Sequence, residues 1–113
     1  MNRSGYIIAA LRAAGVNAFA AGEHEGICTE PYCVVRQLSG VLDGGGGRAR
    51  YRITVLVPAA AAHTIDEQAQ AVCDAMRPLE AHGLIIAQPR GTTLTEDRFR
   101  AVTTCMDYVS YYS

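Results

Sequence analysis

The sequence predicts an α+β fold: a two-layer sandwich with helices on one face of a four-stranded, mainly antiparallel sheet, in the order α-β-β-α-β-β. Three observations carry this. Two segments place apolar residues at helical spacing between recognisable end signals. Residues 50–57 alternate strictly: Tyr51, Ile53, Val55 and Val57 on one side, Arg50, Arg52, Thr54 and Leu56 on the other. A glycine-rich stretch, Asp43 to Gly47, separates that segment from an earlier strand-like one, which reads as a long-tipped hairpin.

The first helix is expected over 4–14. Ser4 is its N-cap candidate, and Tyr6, Ile7, Ala10, Leu11 and Ala14 form its stripe. Gly15 stands where a C-cap glycine belongs. Residues 16–31 contain Gly22, Gly26 and Pro31 among acids and read as a long exposed connection. Strand pattern resumes over 32–38, with Pro31 at its start, and continues after the tip over 50–57, where Pro58 ends it. Thr64 and Glu67 match a capping box, opening a helix whose stripe is Ile65, Ala69, Val72, Cys73, Met76 and Leu79. Pro78 is expected to kink or end it, with a last turn through His82 to Gly83 the other option. A third strand starts over 84–87 and breaks at Pro89, and residues 98–110 read as a long fourth strand. Residues 1–113 make one domain, with flexible loops at about 16–31 and 40–49.

Composition narrows the function classes. The chain has 113 residues, half of them apolar and 19% charged, with a net charge of −1. That excludes general disorder and collagen, and it removes the simplest case for nucleic-acid or membrane-surface binding. No apolar run approaches the roughly 20 residues of a spanning helix, and Arg12 interrupts the first apolar stretch, so no secretory signal is expected. Every basic residue is arginine, so each cation is a planar fork suited to carboxylate pairing.

Candidate chemistry is sparse. Cys73 and Cys105 fall in helix and strand patterns and read as small buried hydrophobes. Cys28 and Cys33 flank Thr29-Glu30-Pro31-Tyr32 near His24. Structural thiols, a local disulfide, a metal site and a small enzyme using one of these thiols with His24 are the readings open to them, although a zinc site wants a second close pair. His63 and His82 are isolated. The Gly44–Gly47 run lacks the lysine and the following helix of a phosphate loop. Glu96 and Asp97, beside Arg98 and Arg100, read as a surface ion-pair cluster. No nucleophile elbow or metalloprotease signature is present. No catalytic residue, cofactor or metal is therefore expected.

Two features point to contacts instead. In the fourth strand, Val102, Thr104, Met106 and Tyr108 share one parity, while Phe99, Ala101, Cys105 and Val109 share the other, so neither face is polar. A half-solvated sheet alternates more cleanly. With no further layer in prospect, the second face is expected to be covered at least in part, by another chain; ordinary scattered surface apolar residues are the alternative. Arg48, Arg50 and Arg52, and separately Arg98 and Arg100, form cationic ridges at same-face spacing. They read either as a solvated edge that resists strand pairing or as an inter-subunit contact with acids such as Glu23, Glu25, Glu30 or Asp43, with nucleic acid third.

The arrangement resembles the tail terminator and head–tail joining proteins of long-tailed bacteriophages. The likeness is carried by the opening helix Tyr6-Ile7-Ile8-Ala9-Ala10-Leu11 ending at Gly15, the glycine-tipped hairpin into Tyr51-Arg52-Ile53-Thr54-Val55-Leu56-Val57-Pro58, the capped helix Thr64–Leu79, and the final strand entered through Glu96-Asp97-Arg98-Phe99-Arg100 and ending Tyr108-Val109-Ser110-Tyr111-Tyr112. The loop 16–31 has no counterpart. The resemblance implies a non-enzymatic virion protein, assembled in the host cytoplasm, that forms a ring, usually hexameric, at the head–tail junction. Its partners would be copies of itself, the tail tube protein and the head-completion protein, with DNA passing through the lumen. The tube protein itself fits less well, because no further hairpins are available for a closed inner barrel. Arg48, Arg50, Arg52, Leu56, Arg98, Arg100, Tyr108, Tyr111 and Tyr112 are the expected interface residues. A small soluble ligand-binding or regulatory module is the alternative.

Overall fold

A computed structural model describes residues 4–23, 26–43, 46–80, 84–88, 91 and 93–112, with side chains described for 4–23, 26–38, 49–80, 91 and 93–110. Its elements are α1 (Ser4–Ala13), β1 (Ala18–Ala20), β2 (Tyr32–Asp43), β3 (Gly46–Pro58), a 3₁₀ segment (Ala59–Thr64), α2 (Ile65–Glu80), β4 (Leu84–Gln88), β5 (Leu94–Glu96), a 3₁₀ turn (Asp97–Phe99) and β6 (Ala101–Tyr112). The class is α+β. The sheet is mixed and larger than the four antiparallel strands expected: its path is β1-β2-β3-β6-β4, and β5 pairs with β6 as well.

The long central strands follow from their residues. β3 keeps the expected alternation, and its register sets Ile53 opposite Met106, Tyr51 opposite Tyr108 and Val57 opposite Val102. These pairs share one face of the sheet and are buried. Both helices pack on that face, where Ile7, Leu11, Val72 and Met76 complete the core. Each such side chain contributes roughly 1.5–3 kcal/mol on full burial. In α2 the observed stripe is the expected one, except that Cys73 sits at its margin, its Sγ 3.2 Å from Met106 Sδ. In α1 the buried set is Ile7, Ile8 and Leu11, so the helix is rotated from the expected stripe and Tyr6 faces solvent.

Gly15 terminates α1 as its position suggested. Its φ of +85° is left-handed, Val16 N–H donates to Leu11 O (2.9 Å), and Gly15 N–H donates to Arg12 O (3.0 Å). That is the paired hydrogen-bond pattern of a Schellman end, with Val16 packed on the core. At α2 one expectation changes, and of the two options at Pro78 the helix takes the one that runs past the proline. The Thr64 hydroxyl donates to Ala61 O (2.7 Å), so it closes the 3₁₀ segment rather than standing at the head of a simple capping box. Pro78 lies inside the helix, which continues to Glu80. The lost donor falls in the last turn, where buried Leu79 holds the chain in place. His82, Gly83 and Pro89 lie outside the described residues.

The loop expectations also change. The backbone of 40–43 and 46–49 is paired strand, with Gly40 opposite Ala49 and Asp43 opposite Gly46. Gly44 and Gly45 lie outside the described residues. Within 16–31, Ala18–Ala20 forms β1, parallel to β2, with Ala18 opposite Cys33. Parallel neighbours require a crossover rather than a tight turn. That requirement explains the connection's length. It carries the chain from β1 across the sheet to the start of β2, and its Cys28 is buried against the face opposite the helices.

Candidate interaction surface

The face opposite the helices is built from the other parity of each strand. Tyr32 stands opposite Leu56, and Leu56 opposite Thr103; Val34 stands opposite Thr54, and Thr54 opposite Cys105; Arg36 stands opposite Arg52, and Arg52 opposite Asp107. Three different environments lie along this face.

One end is closed by the chain itself. Cys28, Tyr32, Leu56 and Ala101 form a second apolar cluster, with Phe19, Val34 and Phe99 packed on it. Phe19 and Tyr32 meet edge to face, with centroids 5.8 Å apart. Cys28 N–H donates to Phe99 O (2.7 Å), which ties the crossover to the 97–99 turn. At the root of the crossover, Arg12 Nε donates to Ala18 O (2.9 Å), and the Glu23 carboxylate accepts from Ala20 N–H (2.6 Å). The expectation that only another chain can cover this face is therefore corrected: a parallel crossover supplies cover from within.

The other end carries an ionic knot. Asp107 is buried and takes two arginines of β3, Arg50 and Arg52. Arg52 reaches it with a fork, Nε to Oδ1 at 2.8 Å and Nη2 to Oδ2 at 3.1 Å, while Arg50 Nε lies 3.1 Å from Oδ2. Burial alone pushes the Asp107 carboxyl up, but the hydrogen bonds and charges of Arg52 and Arg50 outweigh it and hold the group below its ordinary value. Sequence reasoning saw the arginines and missed their partner, because an aspartate inside a run of Val, Thr, Cys and Met carries no local signal of what faces it.

Between these ends the face is open. A groove of about 660 Å³ runs over Tyr32, Val34, Thr54 and Leu56, flanked by Ile27, Arg36, Arg98 and Phe99. It adjoins a smaller recess of about 260 Å³ that shares Val34, Arg36 and Thr54 and adds Leu38 and Arg52. Ile27 and Leu38 are exposed here, and so is Leu94, whose register partner Thr103 lies on this face.

The expected interface residues separate accordingly. Arg50 and Arg52 are on the face, and within the chain both pair with Asp107. Leu56 lines the groove floor and is nearly buried beneath the crossover's cluster. Tyr108 is not at the surface: it lies in the main core opposite Tyr51, where burial and a hydrogen bond to Cys73 push its phenol up. Arg98 and Arg100 do not form a strand ridge. β6 begins at Ala101, Arg98 lies over the Phe99 ring (5.6 Å), and Arg100 takes a left-handed turn at φ +50°. The side chains of Arg48, Tyr111 and Tyr112 lie outside the described residues.

Burial decides the chemistry of the thiols. All four cysteines are free. Cys28 and Cys33 are not placed to bond to each other, because Cys28 packs in the second cluster and Cys33 in the main core, with the sheet between them. Burial raises the Cys28 thiol, and it raises Cys33 to about 12, the reverse of an activated nucleophile. His24 lies outside the described residues. Among those described, no group of three or more His, Cys, Asp or Glu is placed to hold a metal ion, and no helix is long and apolar enough to cross a membrane. No protein-family model matches the chain, and no curated protein matches it.

Proposed function

We propose that this chain is a structural, ring-forming virion protein of the phage head–tail junction, one that ends the tail tube and joins it to the head-completion complex. The observation that carries the reading is the divided second face: closed by the crossover at one end and open, grooved and partly apolar for the rest. Exposed Ile27 and Leu38 beside a floor of Val34 and Leu56 make a contiguous contact surface rather than scattered apolar residues. A ring repeats one heterologous contact until the rotation closes, and such a contact needs an accepting patch of this kind. The long antiparallel pair β2–β3 is a second element available to neighbours, in a molecule 48 × 24 × 23 Å in extent. The reading requires no catalysis. The groove itself favours a second reading, a small α+β module that binds a ligand there.

Light scattering across a concentration series, with electron microscopy of the same samples, tests the ring. Closed annuli, alone or on addition of tail-tube protein, are expected. A strict monomer in every condition overturns the proposal.

A further inference from the structure

The floor of the groove is uncharged and mainly apolar: Tyr32, Val34 and Leu56, with Thr54 among them. Among its described lining residues, every charged side chain is an arginine: Arg36 and Arg98 at the groove, Arg36 again with Arg52 at the adjoining recess. Arg36 and Arg52 are direct cross-strand partners. Like charges in that position destabilise a sheet unless something neutralises them. Asp107 neutralises one side of the problem. It takes the Arg52 fork on the β6 side, away from β2, and it is shared with Arg50. One carboxylate thus serves two arginines, and Arg36 is left at the solvent-facing rim without an ion pair among the described residues. Arg98, across the groove, is held over the Phe99 ring, which fixes its position without cancelling its charge.

A concave, mainly apolar strip flanked by two guanidiniums is complementary to an extended chain that alternates apolar and acidic side chains. Apolar residues fit the strip, and carboxylates reach the guanidiniums, each of which accepts a carboxylate as a two-pronged partner. We infer that the groove between the crossover and β2–β3 is the docking site for an extended acidic peptide segment of a partner protein, with Arg36 and Arg98 reading its carboxylates. The inference rests on the reading of this face as a contact surface and names what contacts it. Nucleic acid fits less well: the strip is apolar, its rings are packed against neighbours rather than free to stack on bases, and the chain as a whole carries a net charge of −1.

The probe is a fluorescein-labelled peptide of alternating valine and glutamate, with an otherwise identical valine–glutamine peptide and a single-stranded oligothymidine as comparisons. Anisotropy is read against the intact protein. The glutamate peptide is expected to saturate below about 1 mM, at least tenfold tighter than the glutamine peptide. Arg36→Glu and Arg98→Glu are each expected to weaken it at least tenfold, whereas Arg77→Glu, on an exposed position of α2, leaves it unchanged. Circular dichroism confirms that each variant is folded; Arg36 and Arg98 are both exposed, so neither change touches the core. Equal binding of the two peptides, no binding to the wild type, indifference to both groove variants, or tighter binding of oligothymidine overturns the inference. A monomer that binds the glutamate peptide keeps this site and loses the ring; a ring that ignores the peptide does the reverse.

Discussion

Replacing Asp107 with asparagine isolates the ionic knot. The substitution keeps the shape of the side chain and removes its charge from beneath Arg50 and Arg52. Asp107 is 1% exposed, whereas the arginine side chains are 41% and 45% exposed. Removing one partner of a fully buried pair costs about 3–5 kcal/mol. Half-exposed arginines recover much of their hydration, so the cost here falls to about 2 kcal/mol, with part of it coming from Arg36 and Arg52 now facing each other without a counter-charge. Urea denaturation at pH 7 measures it, with Arg52→Gln and the double variant closing a cycle. The pH dependence has a fixed sign. The folded-state value of Asp107 lies below its ordinary 3.8, so its contribution is fully present above that value and disappears as pH falls through the folded-state value. Wild type and Asp107→Asn should therefore differ most at neutral pH and converge in acid. A difference under about 0.5 kcal/mol at pH 7, or one that persists unchanged at pH 2, refutes the reasoning.

Three further outcomes follow from single positions. Gly15→Ala forces a side chain into a left-handed helix end and should cost about 1 kcal/mol by thermal unfolding. Arg100→Gly relieves the opposite problem, a non-glycine residue at φ +50°, and should raise stability by up to about 1 kcal/mol; a loss would show that the Arg100 side chain contributes more than its backbone costs. Cys33, raised to about 12 by burial, should resist alkylation at pH 8 until the protein unfolds, while Cys105, half-exposed on the open face, reacts in the native state; quenched labelling with mass spectrometry reads both.

Periodicity carried the parts of the fold that periodicity determines. The alternation of β3 and the stripe of α2 were legible because each buries one face of a regular element, and residues such as Val55 and Met76 lie where spacing alone puts them. Two features were not legible. The three residues of β1, Ala-Phe-Ala, are too few and too weakly β-forming to stand out, yet they turn an apparent loop into a parallel crossover. The left-handed Arg100 is invisible in composition, and it moves Arg98 off the last strand and into the groove wall. The site suffered for the same reason. Parity placed Arg50, Arg52 and Leu56 correctly on the second face. Tyr108 was misassigned to an interface, because deciding which parity of β6 is the core requires knowing which residues of β3 it faces, and that is a non-local fact.

The crossover and the knot together account for the divided face. A sheet this size, with two helices on one side, leaves its other side to be covered. The parallel start of β2 spends the connecting chain on the Leu56 end, and the Cys28–Phe99 hydrogen bond pins it there. At the far end Asp107 gathers two arginines, so that a face of Val, Thr and Cys gains a charged boundary without an unpaired buried carboxylate. What lies between is a strip of mainly apolar floor with Arg36 and Arg98 at its sides, neither of them in an ion pair among the described residues. Here the acid sits on β6, one strand too far from Arg36, and among the described residues none forms an ion pair with Arg36.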